Sequence, residues 1–267
     1  MTTATDTHTP SGSSATARHD QPSSVLHRVV SVARLHLVNR NGVLWLPLFI
    51  MSVIWVSSML IWWIVAINLN RAGMEAGNDG VIVMGGASSF LVIYMLVVAV
   101  QAVNLTFPFA QGYSVTRRDF YLGSALAFVG LSLFYSVLMT ALGVLEEATS
   151  GWGLGGYMFG LGQFGVTGLS RTFYLYFMAL LFFFFLGMAV AAMYVRWHAW
   201  GITGFFAGLG FLIIGLIALA TFTESWPQVW AWIFENGAIG IATWSIVPTV
   251  IAAVAGFLIL RRATPRE

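Results

Sequence analysis

The sequence predicts an all-α, polytopic membrane protein with six transmembrane helices, an N-terminal cytoplasmic amphipathic helix and short outer re-entrant helices before the last span. Of the 267 residues, 58% are hydrophobic and only 8% are charged, whereas soluble domains carry about 25% charged residues. The mean hydropathy is +0.84. Six apolar segments are each long enough to provide the roughly 20 residues that a helical span needs. This composition excludes soluble enzymes and nucleic-acid binders, and the absence of cysteine excludes disulfides and thiolate metal sites.

The segment before the first span divides into a tail and a helix. Residues 1–24 are polar and lack apolar periodicity, so we expect a disordered cytoplasmic tail. Residues 25–42 are expected to form a basic amphipathic helix lying in the membrane interface. Its polar side carries Arg28, Arg34 and Arg40, and its apolar positions recur at helical spacing at Leu26, Val29, Val30, Ala33 and Leu37. The alternative is a helical extension of the first span.

The transmembrane domain is expected over residues 43–262, followed by a short cytoplasmic tail at 263–267. The six spans are predicted at 43–67, 81–110, 120–145, 173–195, 199–222 and 239–260. In the fifth, Gly204 and Gly208 form a GxxxG pattern, which favours helix contact within one bundle and leaves a dimer contact as the alternative.

Arginine placement predicts the orientation. With the N-terminus in the cytoplasm, only Arg71 and Arg171 lie outside, and the other arginines lie inside, so both termini are expected in the cytoplasm. The lysine-free composition indicates a GC-rich bacterium and hence a bacterial plasma membrane. Outside, the tryptophan-rich segment Thr223–Gly237 is expected to form one or two short helices, and the glycine-rich Gly151–Gly168 a flexible hairpin.

The predicted span interiors contain no Asp, Glu, Arg, Lys or His. This counts against a proton relay, paired catalytic carboxylates, a haem site and a buried metal centre. No P-loop motif is present, so the chain is not its own ATPase. The polar residues at membrane depth are expected to make interhelical hydrogen bonds, or alternatively to line a polar pathway; they are Gln101, Asn104, Thr106, Ser132, Ser136 and Thr140.

The most informative segment is the loop between the second and third spans, which reads FPFAQGYSVTRRDFYLG over residues 107–123. Thr116 followed by Asp119 fits a capping-box-like helix start. With slightly different spacing, the loop resembles the F-x-x-x-G-x-[ST]-R-R-x-[FY]-x-x-G pattern of permease subunits in the type-2 ATP-binding-cassette (ABC) exporter family. The corresponding residues are Phe109, Gly112, Ser114, Thr116, Arg117, Arg118, Phe120 or Tyr121, and Gly123. That family is also similar in its interfacial helix, six spans and short outer helices.

The resemblance implies a permease that forms the export path with a second, identical or related permease chain. It implies that the loop contacts a separate ABC-type ATPase subunit, which binds the ATP and Mg, while this chain binds no cofactor and is not an enzyme. The implied ATPase-coupling loop comprises Gly112, Tyr113, Ser114, Val115, Thr116, Arg117, Arg118 and Asp119. Tyr113 and Val115 would be apolar anchors, and the two arginines would bind acidic groups or lipid phosphate.

The expected cargo is apolar or amphipathic, such as a drug, lipid or antimicrobial peptide, because buried charge is absent. Membrane lipids are the other expected partners, and nucleic acid is not one. Two alternatives stay open at this point. One is a non-transporting membrane interaction or regulatory subunit, and the other is an ion-coupled secondary transporter.

Overall fold

A computed structural model describes residues 25–38, 41–71, 87–113, 115–162 and 165–262, and within these ranges the chain is helical with no extended strand. The helices are α1 (Val25–Val38), α2 (Leu46–Arg71), α3 (Ala87–Gly112), α4 (Arg117–Ala148), α5 (Leu169–Phe222), α6 (Trp226–Trp244) and α7 (Ile246–Arg261). Single π-helical turns occur at Asn41–Trp45 and Gly151–Gly155. The all-α prediction is confirmed. The expected tails at 1–24 and 263–267 lie outside the described residues.

Five helical stretches among the described residues are long and apolar enough to cross a membrane. They are Asn41–Arg71, Ser89–Gly112, Arg117–Ala148, Leu169–Phe222 and Trp226–Arg261. The chain is therefore a membrane protein by the length and composition of its helices. The Leu169–Phe222 stretch is interrupted at His198, whose backbone is non-helical (φ 54°, ψ −146°). This break coincides with the boundary predicted between the fourth and fifth spans.

The segment before the last predicted span is helical. α6 begins at Trp226 and is interrupted at Gly237, where the backbone leaves the helical region (φ 58°, ψ −170°). A positive φ favours glycine, because a Cβ would clash with the neighbouring carbonyl. The expected short helix therefore ends at the predicted boundary of the segment, and the chain then continues through Ser245 into α7.

The core is organised around the first half of α5, which packs against α3, α4 and α7. Two glycines allow the closest approaches. A Cβ at Gly187 would lie 2.6 Å from the Leu96 carbonyl oxygen of α3. A Cβ at Gly256 of α7 would lie 3.3 Å from Cα of Ala189 in α5. Small residues bring helix backbones together in membranes, where lipid removes most of the hydrophobic drive for helix association.

The second half of α5 is uncovered in this chain. None of residues 199–222 is buried. A Cβ added at Gly204 or at Gly208 would meet no heavy atom within 4 Å. The favoured prediction, that this glycine pair mediates helix contact inside the bundle, is therefore wrong for the described chain, because no other helix covers that face. The dimer contact stays a prediction.

The glycine-rich hairpin after α4 is bonded to a buried carboxylate of that helix. Glu146, in the last turns of α4, is fully buried with 0% exposure. Its carboxylate accepts the backbone N–H groups of Met158 (2.9 Å), Phe159 (3.0 Å) and Gly160 (2.8 Å) and the indole N–H of Trp152 (3.2 Å). These bonds to three consecutive amides disfavour a flexible hairpin over residues 151–162, and the flexibility itself stays a prediction.

The same hairpin contacts α2 through an aromatic side chain. Trp62 is the largest buried side chain of α2, with 2% exposure. Its indole ring lies against Gly156 so closely that a Cβ at that glycine would overlap the ring. The hairpin therefore joins the ends of α2 and α4 that lie away from the loop at 113–116.

Candidate functional site

The coupling loop leads into α4 through a capped helix start. Thr116 has the extended backbone of an N-cap (φ −68°, ψ 146°), and its hydroxyl accepts the backbone N–H of Asp119 at 3.1 Å. Its carbonyl accepts the N–H of Phe120 at 2.9 Å. The predicted helix start is confirmed. The bond from the Asp119 N–H to the Thr116 hydroxyl satisfies one of the first-turn amides that have no partner within the helix.

The Asp119 carboxylate binds the N-terminal helix. Its Oδ2 accepts the Nε–H of Arg28 at 2.9 Å, and the aspartate is buried while the arginine is about half exposed. The aspartate also lies in the first turn of α4, where the helix dipole favours negative charge. This ion pair ties α1 directly to the loop. The sequence marked both residues as functional candidates but did not predict that they pair.

α1 lies almost in backbone contact with α4. A Cβ at Gly123 would lie 2.5 Å from the Cβ of Val32 and 2.8 Å from the Val29 carbonyl oxygen. Such distances do not occur between real side chains, so only glycine allows this approach. The last glycine of the loop motif therefore has a packing role. The buried face of α1 is centred on Val32, Ala33 and His36, which shifts the predicted apolar face by part of a turn.

His36 is a buried polar contact between the same helices. It is 2% exposed, and its Nε2 lies 2.6 Å from the Ser124 hydroxyl oxygen. Because Ser124 donates its own hydrogen to the Phe120 carbonyl at 2.9 Å, its oxygen is assigned as the acceptor of the His36 Nε2–H. Nδ1 lies 3.4 Å from the Thr106 hydroxyl of α3. Burial lowers the pKa of His36 to about 4, so the ring is neutral at pH 7.

We call α1 together with Tyr113 and residues 115–124 the α1–α4 corner. It combines the Arg28–Asp119 ion pair, the contact at Gly123 and the bond between His36 and Ser124. Sequence reasoning missed His36 and Ser124 as site residues. The usable signal was the spacing of Val29, Val32 and His36, which places a histidine on the apolar stripe of α1.

Within the predicted coupling loop, a tyrosine and an arginine have long, exposed side chains. Tyr113 is 80% exposed, and Arg118 is exposed in the first turn of α4. Val115 is half-buried and packs against the core of its own chain, and its N–H binds the Ala110 carbonyl at 3.1 Å. The two predicted anchors therefore differ, and only Tyr113 is available to a partner. Ser114 lies outside the described residues.

The two arginines of the motif also differ. Arg117 is half-buried, and its Nη1 donates to the carbonyl of Arg261, the last residue of α7, at 3.3 Å. A cation there binds one of the free carbonyls at the end of α7. Arg118 faces outward. Gly112 is the last residue of α3 and has open space around it, so a Cβ would fit at this position.

The remaining candidates lie apart from one another. Arg34 of α1 is exposed, and Arg40 is outside the described residues. Gln101 is exposed on α3. Ser136 and Thr140 bind carbonyls of their own helix, those of Leu133 at 2.9 Å and Ser136 at 2.7 Å, rather than another helix.

Two candidate side chains are buried without a partner. Within the described residues, Asn104 Oδ1 and Ser132 Oγ have no hydrogen-bond partner. The predicted interhelical bonds are therefore not formed by Ser132, Ser136 or Thr140 in the described chain. These three share one buried face of α4, whereas Gln101 lies on an exposed face of α3, so the predicted polar residues do not converge on one path within this chain.

Comparison with known proteins finds no matching family model, no matching curated protein and no matching solved structure. The residues and geometry of this chain are therefore the basis for inferring its function. The α1–α4 corner offers an exposed aromatic ring and an exposed cation on a braced support. Such an arrangement is suited to binding a partner surface.

Proposed function

We propose that this chain is the permease subunit of an ATP-driven exporter and that the α1–α4 corner binds a separate ATPase subunit. The observation that carries the proposal is the Tyr113–Asp119 loop, whose sequence resembles the coupling loop of type-2 ABC exporters. In this proposal the chain binds no nucleotide, and the partner ATPase binds ATP and Mg and hydrolyses the ATP. The cargo is apolar or amphipathic.

The placement of charge supports a role for the loop beyond folding. Arg117 and Arg118 occupy the first turn of α4. The helix dipole disfavours a cation there by about 0.3–1 kcal/mol. Helix stability therefore does not explain the arginine pair. Arg117 contributes to the contact with α7, whereas an acidic partner surface or lipid phosphate would account for the exposed Arg118.

The contacts between α1 and α4 at the corner support the transmission of force from a bound partner to both helices. A partner that binds Tyr113 and Arg118 pushes on the start of α4, and the ion pair carries that push to α1. Contacts at Gly123 and His36 leave the two helices little freedom to slide separately. The corner would then move as one body when the ATPase closes.

The test is co-purification of the tagged chain with a P-loop ATPase encoded beside it. We expect the wild type to retain the ATPase, and the double variant Tyr113→Ala, Arg118→Glu to lose it. Arg262→Glu is the matched control, because Arg262 is also exposed and follows α7 near the same end of the bundle. A double variant that retains the ATPase as well as the control would contradict the docking role. A wild type that purifies without any ATPase would favour an interaction subunit.

We also propose six crossings. The 54 residues of α5 would form a helix roughly 80 Å long. That is more than twice the hydrocarbon thickness of about 30 Å, so the break at His198 would separate two antiparallel crossings.

The crossing number is testable because the chain has no cysteine. Single cysteines at Arg118, Arg171, Trp197 and Glu224 would be labelled with a membrane-impermeant maleimide in right-side-out vesicles. We expect labelling at positions 171 and 224 only. Labelling of Trp197→Cys from the same side as Arg171→Cys would contradict the proposal.

A second permease chain is the proposed partner of the second half of α5. That helix half exposes Gly204 and Gly208 to open space, and a facing copy could approach its backbone closely. The test is disulfide formation by Gly208→Cys in vesicles, with Gly130→Cys, an open glycine of α4, as the control. Equal cross-linking of the two variants would count against this interface.

A further inference from the structure

A cavity of about 590 Å³ lies between α3, the first half of α5 and the second part of α6. The volume falls within the range of roughly 300–1,000 Å³ found for small-molecule sites. Its α3 residues, Val92 and Ile93, lie about 30 Å of helix before Gly112. The cavity is therefore at the end of the bundle opposite the α1–α4 corner and is separate from the proposed ATPase site.

The lining of the cavity is apolar and uncharged. Eleven of its thirteen lining residues are hydrophobic, and none is an Asp, Glu, Lys, Arg or His. Phe182 and Phe183 provide aromatic walls, and Ala179, Ala238 and Ala242 leave the space between the helices. A charged or strongly polar ligand would lose its water contacts here without replacement.

Two of the three hydroxyl groups that line the cavity donate to backbone carbonyls, and the third belongs to Ser89. The Tyr176 hydroxyl donates to the Phe159 carbonyl at 2.8 Å, and the Ser245 hydroxyl donates to the Ala242 carbonyl at 2.6 Å. Both hydroxyl groups therefore donate their hydrogens to the backbone and not to a ligand. Water is poorly held in a space that offers so few polar partners. A hydrocarbon ligand fits this surface better than water or a hydrogen-bonding ligand.

One wall of the cavity is formed by the hairpin, which is hydrogen-bonded to two helices. Leu161 lines the cavity and follows directly on the three amides that Glu146 binds. Tyr176 lines it from α5 and binds the carbonyl of Phe159 in the same hairpin. The hairpin is thus bonded to both α4 and α5. This bonding resists collapse of the helices into the space.

We propose that this cavity binds a single uncharged alkyl chain that enters from the surrounding bilayer. The chain belongs either to a membrane phospholipid or to a free amphiphile, and both present the same hydrocarbon to the aromatic walls. The inference does not depend on the proposed export function, because no ATPase takes part in the binding.

The test uses the full chain in phosphatidylcholine vesicles with two photoreactive probes. The first is a phosphatidylcholine with a diazirine in one acyl chain, and the second is a fatty alcohol carrying the same diazirine. Adducts are mapped by mass spectrometry at Ile93 and Phe182 and normalised to Ile214, an exposed residue in the second half of α5. We expect a several-fold excess of adducts at the cavity. Labelling by the phospholipid probe identifies a lipid chain, and labelling by the alcohol alone identifies a free amphiphile.

Two filling variants and a competition control the experiment. Ala242→Phe and Ala179→Leu fill the cavity from different helices, and each should lower the normalised labelling several-fold. Ala231→Phe is the matched control, because Ala231 is exposed on α6 and does not line the cavity. Excess unlabelled hexadecanol should lower cavity labelling of the wild type without changing Ile214. Cavity labelling no higher than that of Ile214, or unchanged by both fillers and by competition, would overturn the proposal.

Discussion

Replacing Glu146 by glutamine should release the hairpin that follows α4. The carboxylate is fully buried and faces donors only: three consecutive backbone amides and the Trp152 indole. Glutamine has nearly the same shape but keeps one acceptor oxygen and places an NH₂ group at the other position. That group would point its hydrogens at other N–H groups. The variant therefore tests the hydrogen bonds without creating a cavity.

The magnitude follows from the bonds that are lost. Each hydrogen bond to a charged group contributes about 1.5–3 kcal/mol. Losing two of the four donors to Glu146 should therefore cost roughly 3–6 kcal/mol of local stability. Because each 1.4 kcal/mol is a factor of ten in an equilibrium constant, the hairpin amides should exchange at least about a hundredfold faster.

The assay is hydrogen–deuterium exchange with mass spectrometry on the peptide covering residues 151–162. Glu147→Gln is the matched control, because it removes the same charge from the adjacent, exposed position of α4. We expect fast exchange in Glu146→Gln and wild-type exchange in the control. Equal protection in the two variants would show that the carboxylate does not hold the hairpin, and the argument for a braced cavity wall would fail with it.

Three further predictions concern the packing of the helices. Gly123→Ala, whose Cβ would lie 2.5 Å from Val32, should loosen α1 by about 1–3 kcal/mol, measured as faster exchange of α1 amides. Gly130→Ala, in open space on α4, is its control and should leave α1 unchanged. Gly187→Ala should lower the Tm of the detergent-purified protein by overpacking α3 against α5, again relative to Gly130→Ala, and an unchanged Tm would contradict the close approach. The protection of α1 amides against hydrogen exchange should fall as the pH drops from 6.5 towards 4. Burial lowers the pKa of His36 to about 4 in the folded protein, so protonation in this range favours the state in which α1 is detached from α4. Exchange of α1 that does not change with pH would contradict burial of a neutral ring.

Helix identity and several helix ends were predictable from the sequence because they depend on local chemistry. Composition and apolar run length predicted the helical class. Thr116 predicted the start of α4, since an N-cap needs only the three residues that follow it. The polar residues between the fourth and fifth predicted spans, Arg196 and His198, predicted the position of the helix break at His198. The last two signals lie within one helical turn of the feature that each predicts.

The buried polar groups were not predictable, because their partners are distant along the chain. His36 binds Ser124, 88 residues away, and Glu146 binds amides 12 to 14 residues away across a turn. Hydrophobic periodicity identifies the face of a helix that is buried but not the group that faces it. The sequence therefore did not identify His36 or Glu146 as a buried contact.

Glycine spacing was equally ambiguous. Gly204 and Gly208 have the spacing of a packing motif, yet they face open space in this chain. Gly123 has no such spacing, yet it lies against Val32 and the backbone of α1. The sequence indicates that a backbone is accessible at a glycine. Only the arrangement of neighbouring helices determines whether another backbone reaches it.

α4 connects the two ends of the molecule and is anchored at both by a buried carboxylate. Asp119 binds Arg28 of α1 at one end, and Glu146 binds the hairpin amides about 40 Å of helix away. A push on the exposed side of the corner would therefore be carried along α4 to the hairpin, and through Leu161 to the cavity wall. The two anchors are chemically independent, so substitutions separate them. If the proposed function holds, Glu146→Gln should alter cavity labelling and leave ATPase association unchanged, and Arg118→Glu should do the reverse. Loss of both properties in either variant would indicate general unfolding rather than transmission through α4.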